Sequence, residues 1–236
     1  MVELSVVIPT IEESDGDIKA LQYIRRCSFE DYEVIVRRDS SASKARNKGA
    51  ERAQAEKIVF FDDDSMPCEG HLQAASNALN EHDAVAGRVF QPDDSPFKNK
   101  EIPWYDQGEE QKQTTLLPGC NMAMNKTLFE NVGGFNENLP FGHEEVELAE
   151  RICRDHRIHY EPEMVIYHYF AESVWGYWKK AYRHGKADTR IWELDGFPWS
   201  KRVVQSLPLA RPNAGPIEII SRLARRTGRI RGLLAT

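Results

Sequence analysis

The chain has 236 residues, 41% of them hydrophobic and 29% charged, a balance that fits a folded protein and argues against disordered and fibrous classes. A formal net charge of −6 argues against nucleic acid as the main partner. Four scattered cysteines, Cys27, Cys68, Cys120 and Cys153, make no C-x-x-C pair, which reads as reduced thiols and neither a zinc site nor a disulfide framework.

No basic-then-apolar leader opens the chain, and no apolar run approaches the roughly 20 residues that span a bilayer, so the expected location is cytoplasmic. Leu4-Ser5-Val6-Val7-Ile8 reads as a strand stopped by Pro9-Thr10. Ile18, Leu21 and Ile24 recur at helical spacing. Tyr32 to Val36 is a second strand, followed by the polar Arg37-Arg38-Asp39-Ser40-Ser41, and Ser43 to Ala55 is a second helix. Lys57-Ile58-Val59-Phe60-Phe61 is a third strand, buried and central by its unbroken apolar run. Strand, helix, strand, helix, strand within sixty residues is a βαβαβ unit and implies a mostly parallel, Rossmann-like α/β sheet.

The third strand ends in Asp62-Asp63-Asp64. Three adjacent carboxylates repel one another unless a cation or donor groups meet them. At the carboxyl end of a strand they lie where open α/β sheets bind ligands, and hard oxygen donors there suit Mg²⁺ or Mn²⁺. A solvated acidic turn is the plain alternative. Farther on, Leu72 to Leu79 repeats at helical spacing and Asp83 to Val89 reads as a strand. The polar stretch from Gln91 to Thr115, with Trp104-Tyr105, is long for a connection and reads as a functional or mobile loop; Trp104 offers a flat face to a sugar acceptor, with packing of the aromatics against the C-terminal helix the plain alternative.

In the second half, Gly119-Cys120-Asn121 and Gly133-Gly134 combine small residues with an amide, so Asn121 and Gly134 are expected on the acceptor side; a tight turn explains the glycines equally well. Glu144 and Glu145 open a helix whose apolar stripe is Val146, Ala149 and Ile152. His168 follows the strand-like Met164 to Tyr167 and so falls at a sheet rim. G-x-G-x-x-G, G-x-x-x-x-G-K-[ST] and G-x-S-x-G are all absent, which disfavours a dinucleotide dehydrogenase, a P-loop NTPase and a serine hydrolase.

Taken in order, Val6-Val7-Ile8-Pro9-Thr10, Ala45-Arg46-Asn47-Lys48-Gly49, Asp62-Asp63-Asp64, Gly133-Gly134-Phe135 and His143-Glu144-Glu145 resemble a family 2 glycosyltransferase of GT-A fold over residues 4 to 170. The resemblance implies a metal-dependent, inverting transfer from a nucleotide-diphosphate sugar to a hydroxyl acceptor, such as a sugar or a lipid-linked glycan. Asp62 and Asp64 then occupy the D-x-D places, with His168 completing a shell for Mn²⁺ or Mg²⁺. Pro9, Thr10, Asp39, Arg46, Asn47 and Asp63 fall to the nucleotide sugar, and Glu145, with Glu144 beside it, to general-base catalysis. Arg38-Asp39-Ser40-Ser41 stands where the family commonly has Asp-Asp-Gly-Ser, which leaves the nucleobase open. A sugar-1-phosphate nucleotidylyltransferase would want a glycine-rich loop after the first strand, and Ile11-Glu12-Glu13-Ser14 is not one; a nucleotide-sugar-binding module without catalysis is the non-enzymatic alternative.

Two domains are expected: a glycosyltransferase domain over 1–170, with nucleotide-binding (1–90) and acceptor (116–170) parts, and a helical extension over 171–236. In the extension, Ile217, Ile219, Ile220, Leu223, Ile230, Leu233 and Leu234 alternate with five arginines. On a helix this mixture suits peripheral contact with a cytoplasmic membrane face; a solvated basic tail or a subunit contact is the alternative, and Gly228 and Gly232 count against the helix.

Overall fold

The computed structural model describes residues 2–100, 102–139, 142–194, 196, 201 and 216–235. The chain divides into two compact units: Met1–Asp93 with Asn99–Glu137 and Glu144–Tyr169, and Asp94–Lys98 with Asn138–His143 and Phe170–Thr236.

The first unit is built on one sheet. Its strands are β1 (Leu4–Pro9), β2 (Tyr32–Arg37), β3 (Lys57–Phe61), β4 (Met66–Pro67), β5 (Ala84–Phe90), β6 (Lys112–Thr114), β7 (Asn121–Asn125) and β8 (Ile158–Tyr167). They run in the order β2-β1-β3-β7-β5-β8-β4, with β6 also on β8. The parallel expectation holds for β2-β1-β3 and for β5 beside β8, but β7 enters antiparallel between β3 and β5, so the sheet is mixed. Asn121 to Met124 therefore lie in a central strand with no exposed surface.

Helices α1 (Lys19–Ile24), α2 (Ala42–Arg52), α3 (His71–Ala78), α4 (Lys126–Asn131) and α5 (Glu144–Asp155) complete this unit. Ser41 caps α2, its hydroxyl accepting from the Lys44 N–H at 3.2 Å. Gly49 brings α2 against β1: a Cβ there would collide with Val7. The core beneath is Phe60, Phe129 and Phe135, in mutual ring contact at 5.4 to 5.8 Å, with Val7, Ile58, Met122, Met124, Leu148, Ile152 and Tyr160 around them. Burying a side chain of this size contributes roughly 1.5–3 kcal/mol, so the aromatic triad anchors α4 and the 133–135 turn to the sheet.

The second unit centres on α6 (Val174–Leu194) and α7 (Pro216–Leu233). Their contacts ascend together: Tyr177 Oη donates to Glu218 at 2.9 Å, Gly185 faces the Arg225 carbonyl, and Gly232 faces Thr189, so the two helices run parallel. A Cβ at Gly185 or Gly228 would strike the partner helix's backbone, so the glycines that seemed to weaken α7 are what lets it approach α6. Asp188 is buried between them and takes hydrogen bonds from Arg225 (2.7 and 2.9 Å) and Arg229 (2.6 Å), with His143 Nε2 at 2.8 Å. Burial opposes its charge, but His143 and Arg225 outweigh that and hold its carboxyl well below the usual range. Tyr177 packs against Phe97 and Phe170 at 5.1 and 5.4 Å, so this aromatic serves the core, while Trp175 is 62% exposed.

Candidate active site

One edge of the sheet in the first unit collects nearly all the polar groups of interest. The parallel strands β1, β2, β3, β5 and β8 end there, and β7, running the other way, begins there; Phe61 pairs with Asn121. Topology thus brings together Thr10, Asp39, Asp62 to Asp64, Cys120 and His168, which are far apart in sequence.

The acidic turn after β3 is braced on both sides. Thr10 Oγ1 donates to Asp63 Oδ2 at 2.6 Å, and the Asp63 carbonyl accepts from Ala20 N–H at 3.0 Å. Burial raises the Asp63 pKa against that Thr10 bond, with repulsion from Asp64 and Asp62 adding to it. Ser65 Oγ accepts from Asp62 N–H at 3.2 Å and donates to the Cys120 carbonyl at 3.1 Å, tying the turn to the approach of β7.

Asp62 and Asp64 face His168. The His168 Nε2 lies 3.1 Å from Asp64 Oδ1 and 3.8 Å from Asp62 Oδ2, and its Nδ1 is 2.9 Å from the Tyr105 hydroxyl. Donor atoms of Asp62, Cys120 and His168 lie within 4.8 Å of one another. Burial opposes a charge on His168, yet Cys120 and Asp64 push its pKa well above the ordinary value. Carboxylate, imidazole and sulfur donors converging in this way fit a divalent cation.

Arg46, on α2, is 3% exposed and connects this turn to α5. Its guanidinium donates to Asp62 Oδ1 at 2.6 Å and to Glu144 Oε1 at 3.3 Å, and lies 5.2 Å from the Phe135 ring centre. Burial disfavours its charge, but Asp62, Glu144 and Glu145 around it outweigh that and raise its pKa. Arg46 Nε and Glu144 Oε2 are buried without a hydrogen-bond partner. Glu145 is half-buried in the first turn of α5, with its Cβ and Cγ 3.6 and 3.7 Å from where a Gly119 Cβ would stand. The expected pair is thus split in environment: Glu144 is bound to Arg46, and Glu145 stands beside Gly119.

Other expected contacts take internal roles. Asn47 is a clip for the 133–135 turn: its Oδ1 accepts from Phe135 N–H at 2.8 Å, and its Nδ2 donates to Phe135 O and Glu137 Oε1, each at 2.9 Å. Gly134 has φ 63°, and a Cβ there would lie 2.8 Å from Asn47 Oδ1, so the turn requires a glycine at this position. Asn121 has no exposed surface; its Nδ2 donates to the Arg88 and Met164 carbonyls at 3.0 and 2.8 Å, which leaves Oδ1 to accept from His71 Nε2–H at 2.7 Å. Pro9 closes β1, buried, and Asp39 is gripped by Arg37 and Lys48, each at 2.9 Å, with Lys48 first and Arg37 next lowering its carboxyl pKa. Trp104 is 45% exposed.

Two site residues escaped sequence reasoning. Tyr105, next to the Trp104 that drew attention, is buried and bonds to His168. Cys120 read as an ordinary core thiol, and its position depends on the antiparallel pairing of β7 with β3.

Residues 14–133, just over half of the chain, match the model of glycosyl transferase family 2. No protein with a curated description matches by sequence. Among solved structures, the mannosyltransferase PcManGT from Pyrobaculum calidifontis in complex with GDP-Man and Mn²⁺ is similar at a TM-score of 0.61 and 17% identity, over 99% of this chain and 74% of that one. S. aureus TarS 1–349 is similar with UDP (TM-score 0.57, 79% of this chain) and with UDP-GlcNAc (0.58, 77%), both at 17% identity. The chain spans about two thirds of the TarS fragment, 65% in the UDP complex. The sheet with its flanking helices has the GT-A fold of these structures, and the chain belongs to glycosyl transferase family 2.

Proposed function

We propose that the protein transfers a sugar from a nucleoside diphosphate to a hydroxyl acceptor, with inversion at the anomeric carbon. The observation that carries this reading is the convergence of Asp62, Asp64 and His168 at one strand edge, with Arg46 linking Asp62 to the helix that presents Glu145. The similar structures hold nucleotide sugars, which supports that donor class. Asp62, Asp64 and His168 would hold Mn²⁺ or Mg²⁺, which supplies positive charge against a departing diphosphate. Thr10 and Asp39, at neighbouring strand ends, border the region for the nucleoside; Arg46 holds Asp62 and Glu144 in place. Glu145 removes the acceptor proton during attack, because a hydroxyl is a poor nucleophile near neutral pH.

Glu145→Gln keeps the shape and removes the base. Turnover should fall roughly 100- to 10,000-fold while donor affinity changes little. Near-normal turnover would move the role elsewhere, Glu144 being the first alternative.

The acceptor in this reading is a lipid-linked glycan or polysaccharide reached at a membrane surface. Ile219, Leu223, Ile230 and Leu234 recur along one side of the α7 segment and are 43 to 83% exposed, with Arg222, Arg226 and Arg231 near them. No helix among the described residues is long and apolar enough to cross a membrane, so α7 would lie in the headgroup plane.

A further inference from the structure

The cation site departs from an all-oxygen and imidazole donor set in one respect. Cys120 is 3% exposed, and its sulfur lies within 4.8 Å of donor atoms on Asp62 and His168. It is held there by backbone: its carbonyl accepts from Ser65, and the next residue, Asn121, starts β7 against β3 and is itself locked by three side-chain hydrogen bonds. The Tyr105 hydroxyl occupies His168 Nδ1, which leaves Nε2 directed at the carboxylates. A rigid sulfur facing a fixed imidazole and a carboxylate is a mixed N/O/S site.

We propose that Cys120 is a further side-chain ligand of the cation held by Asp62, Asp64 and His168, and that its sulfur gives the site a preference for Co²⁺ and Zn²⁺ over Mg²⁺. The inference rests on the metal-dependent reading above. On binding, the thiol S–H bond breaks, its proton goes to solvent, and the thiolate lone pair forms the sulfur–metal bond, so no oxidant or reductant is involved. Thiolate and imidazole suit Zn²⁺ and neighbouring transition ions, whereas Mg²⁺ favours oxygen and keeps its waters.

The test uses Co²⁺ as a spectroscopic probe on the full chain, with calorimetry for Co²⁺ and Mg²⁺. Wild type should show a thiolate-to-cobalt charge-transfer band in the near ultraviolet beside the visible d–d bands. Cys120→Ser should abolish the charge-transfer band, retain the d–d bands, and weaken Co²⁺ binding by roughly tenfold or more while leaving Mg²⁺ affinity unchanged. Cys120→Ala should behave alike, with thermal unfolding of both variants showing that they fold. His168→Ala should also lose the band, which assigns it to this site and not to Cys27, Cys68 or Cys153. Co²⁺ bound at Asp62 and His168 without a band that depends on Cys120 would overturn the sulfur ligand and leave the metal reading standing. Absence of any divalent-cation binding would overturn both.

Discussion

At the residue scale, Arg46 concentrates the electrostatics of the site. A buried guanidinium is costly to desolvate, and here it is met by Asp62 and Glu144. Arg46→Met should therefore destabilise the protein by about 3 kcal/mol, chiefly by leaving two carboxylates facing each other without a cation. Combining it with Glu144→Gln should recover part of that loss in urea unfolding. Strictly additive losses would show that the two groups are not coupled. The sequence placed Arg46, Asp62 and Glu144 in motifs and His168 after a strand; their mutual distances, and the presence of Tyr105 and Cys120 among them, depend on pairing between segments some 60 residues apart. Asn47, Asn121 and Gly134 were less legible for the converse reason: an amide or a glycine has the same local signature whether it faces a ligand or locks a turn.

At the element scale, strands β1 to β3 were legible from their short apolar, β-rich runs, and helix α5 from apolar residues at helical spacing. β6 and β7 were not: β6 is a three-residue edge segment, and β7 is apolar at only three of its five positions. The α6–α7 pair was half legible. Its apolar and basic pattern is visible, but Gly228 reads as a helix breaker until the opposing Tyr182 carbonyl is known. Gly228→Ala should cost about 1–3 kcal/mol because the obstacle is backbone and cannot swing aside. Gly70→Ala, where nothing lies within 4 Å of a Cβ, is the control and should stay within about 0.5 kcal/mol. Equal stability of the two variants would contradict close helix packing. The outward face of α7 has its own test: Leu223→Ser with Ile230→Ser should abolish salt-sensitive cosedimentation with anionic vesicles while leaving unfolding unchanged. Wild-type protein that stays in the supernatant would remove the membrane role.

For the whole molecule, two buried imidazoles set the acid limit of stability. Burial pushes His71 down to about 4 and His184 down to about 3, the latter with help from His143. Each is neutral in the folded state, while in the unfolded chain it takes up a proton below about 6.5. At these two sites the unfolded state therefore binds more protons in that window, so their contribution to stability is complete above about pH 6.5 and falls as pH drops toward 4, whereas the raised His168 contributes with the opposite sign. His71 alone should remove about 2 kcal/mol by pH 5. Denaturant unfolding of wild type and His71→Gln at pH 7.5 and 5 measures this: the variant should lose less stability at pH 5 than wild type does, and equal losses would contradict the neutral, buried assignment.

The central claim is that donor binding depends on a cation held at the strand edge. The most direct measurement is calorimetric titration of a panel of nucleotide sugars, UDP- and GDP-linked, in Mn²⁺ and in EDTA, with wild type and Asp64→Ala. Asp64 is a rim residue whose loss leaves the core intact, so the variant should fold. The account predicts that at least one donor binds wild type in Mn²⁺, that binding is lost in EDTA, and that Asp64→Ala fails to bind under either condition. The same affinity in EDTA as in Mn²⁺, or an Asp64→Ala variant that binds as wild type does, would contradict it.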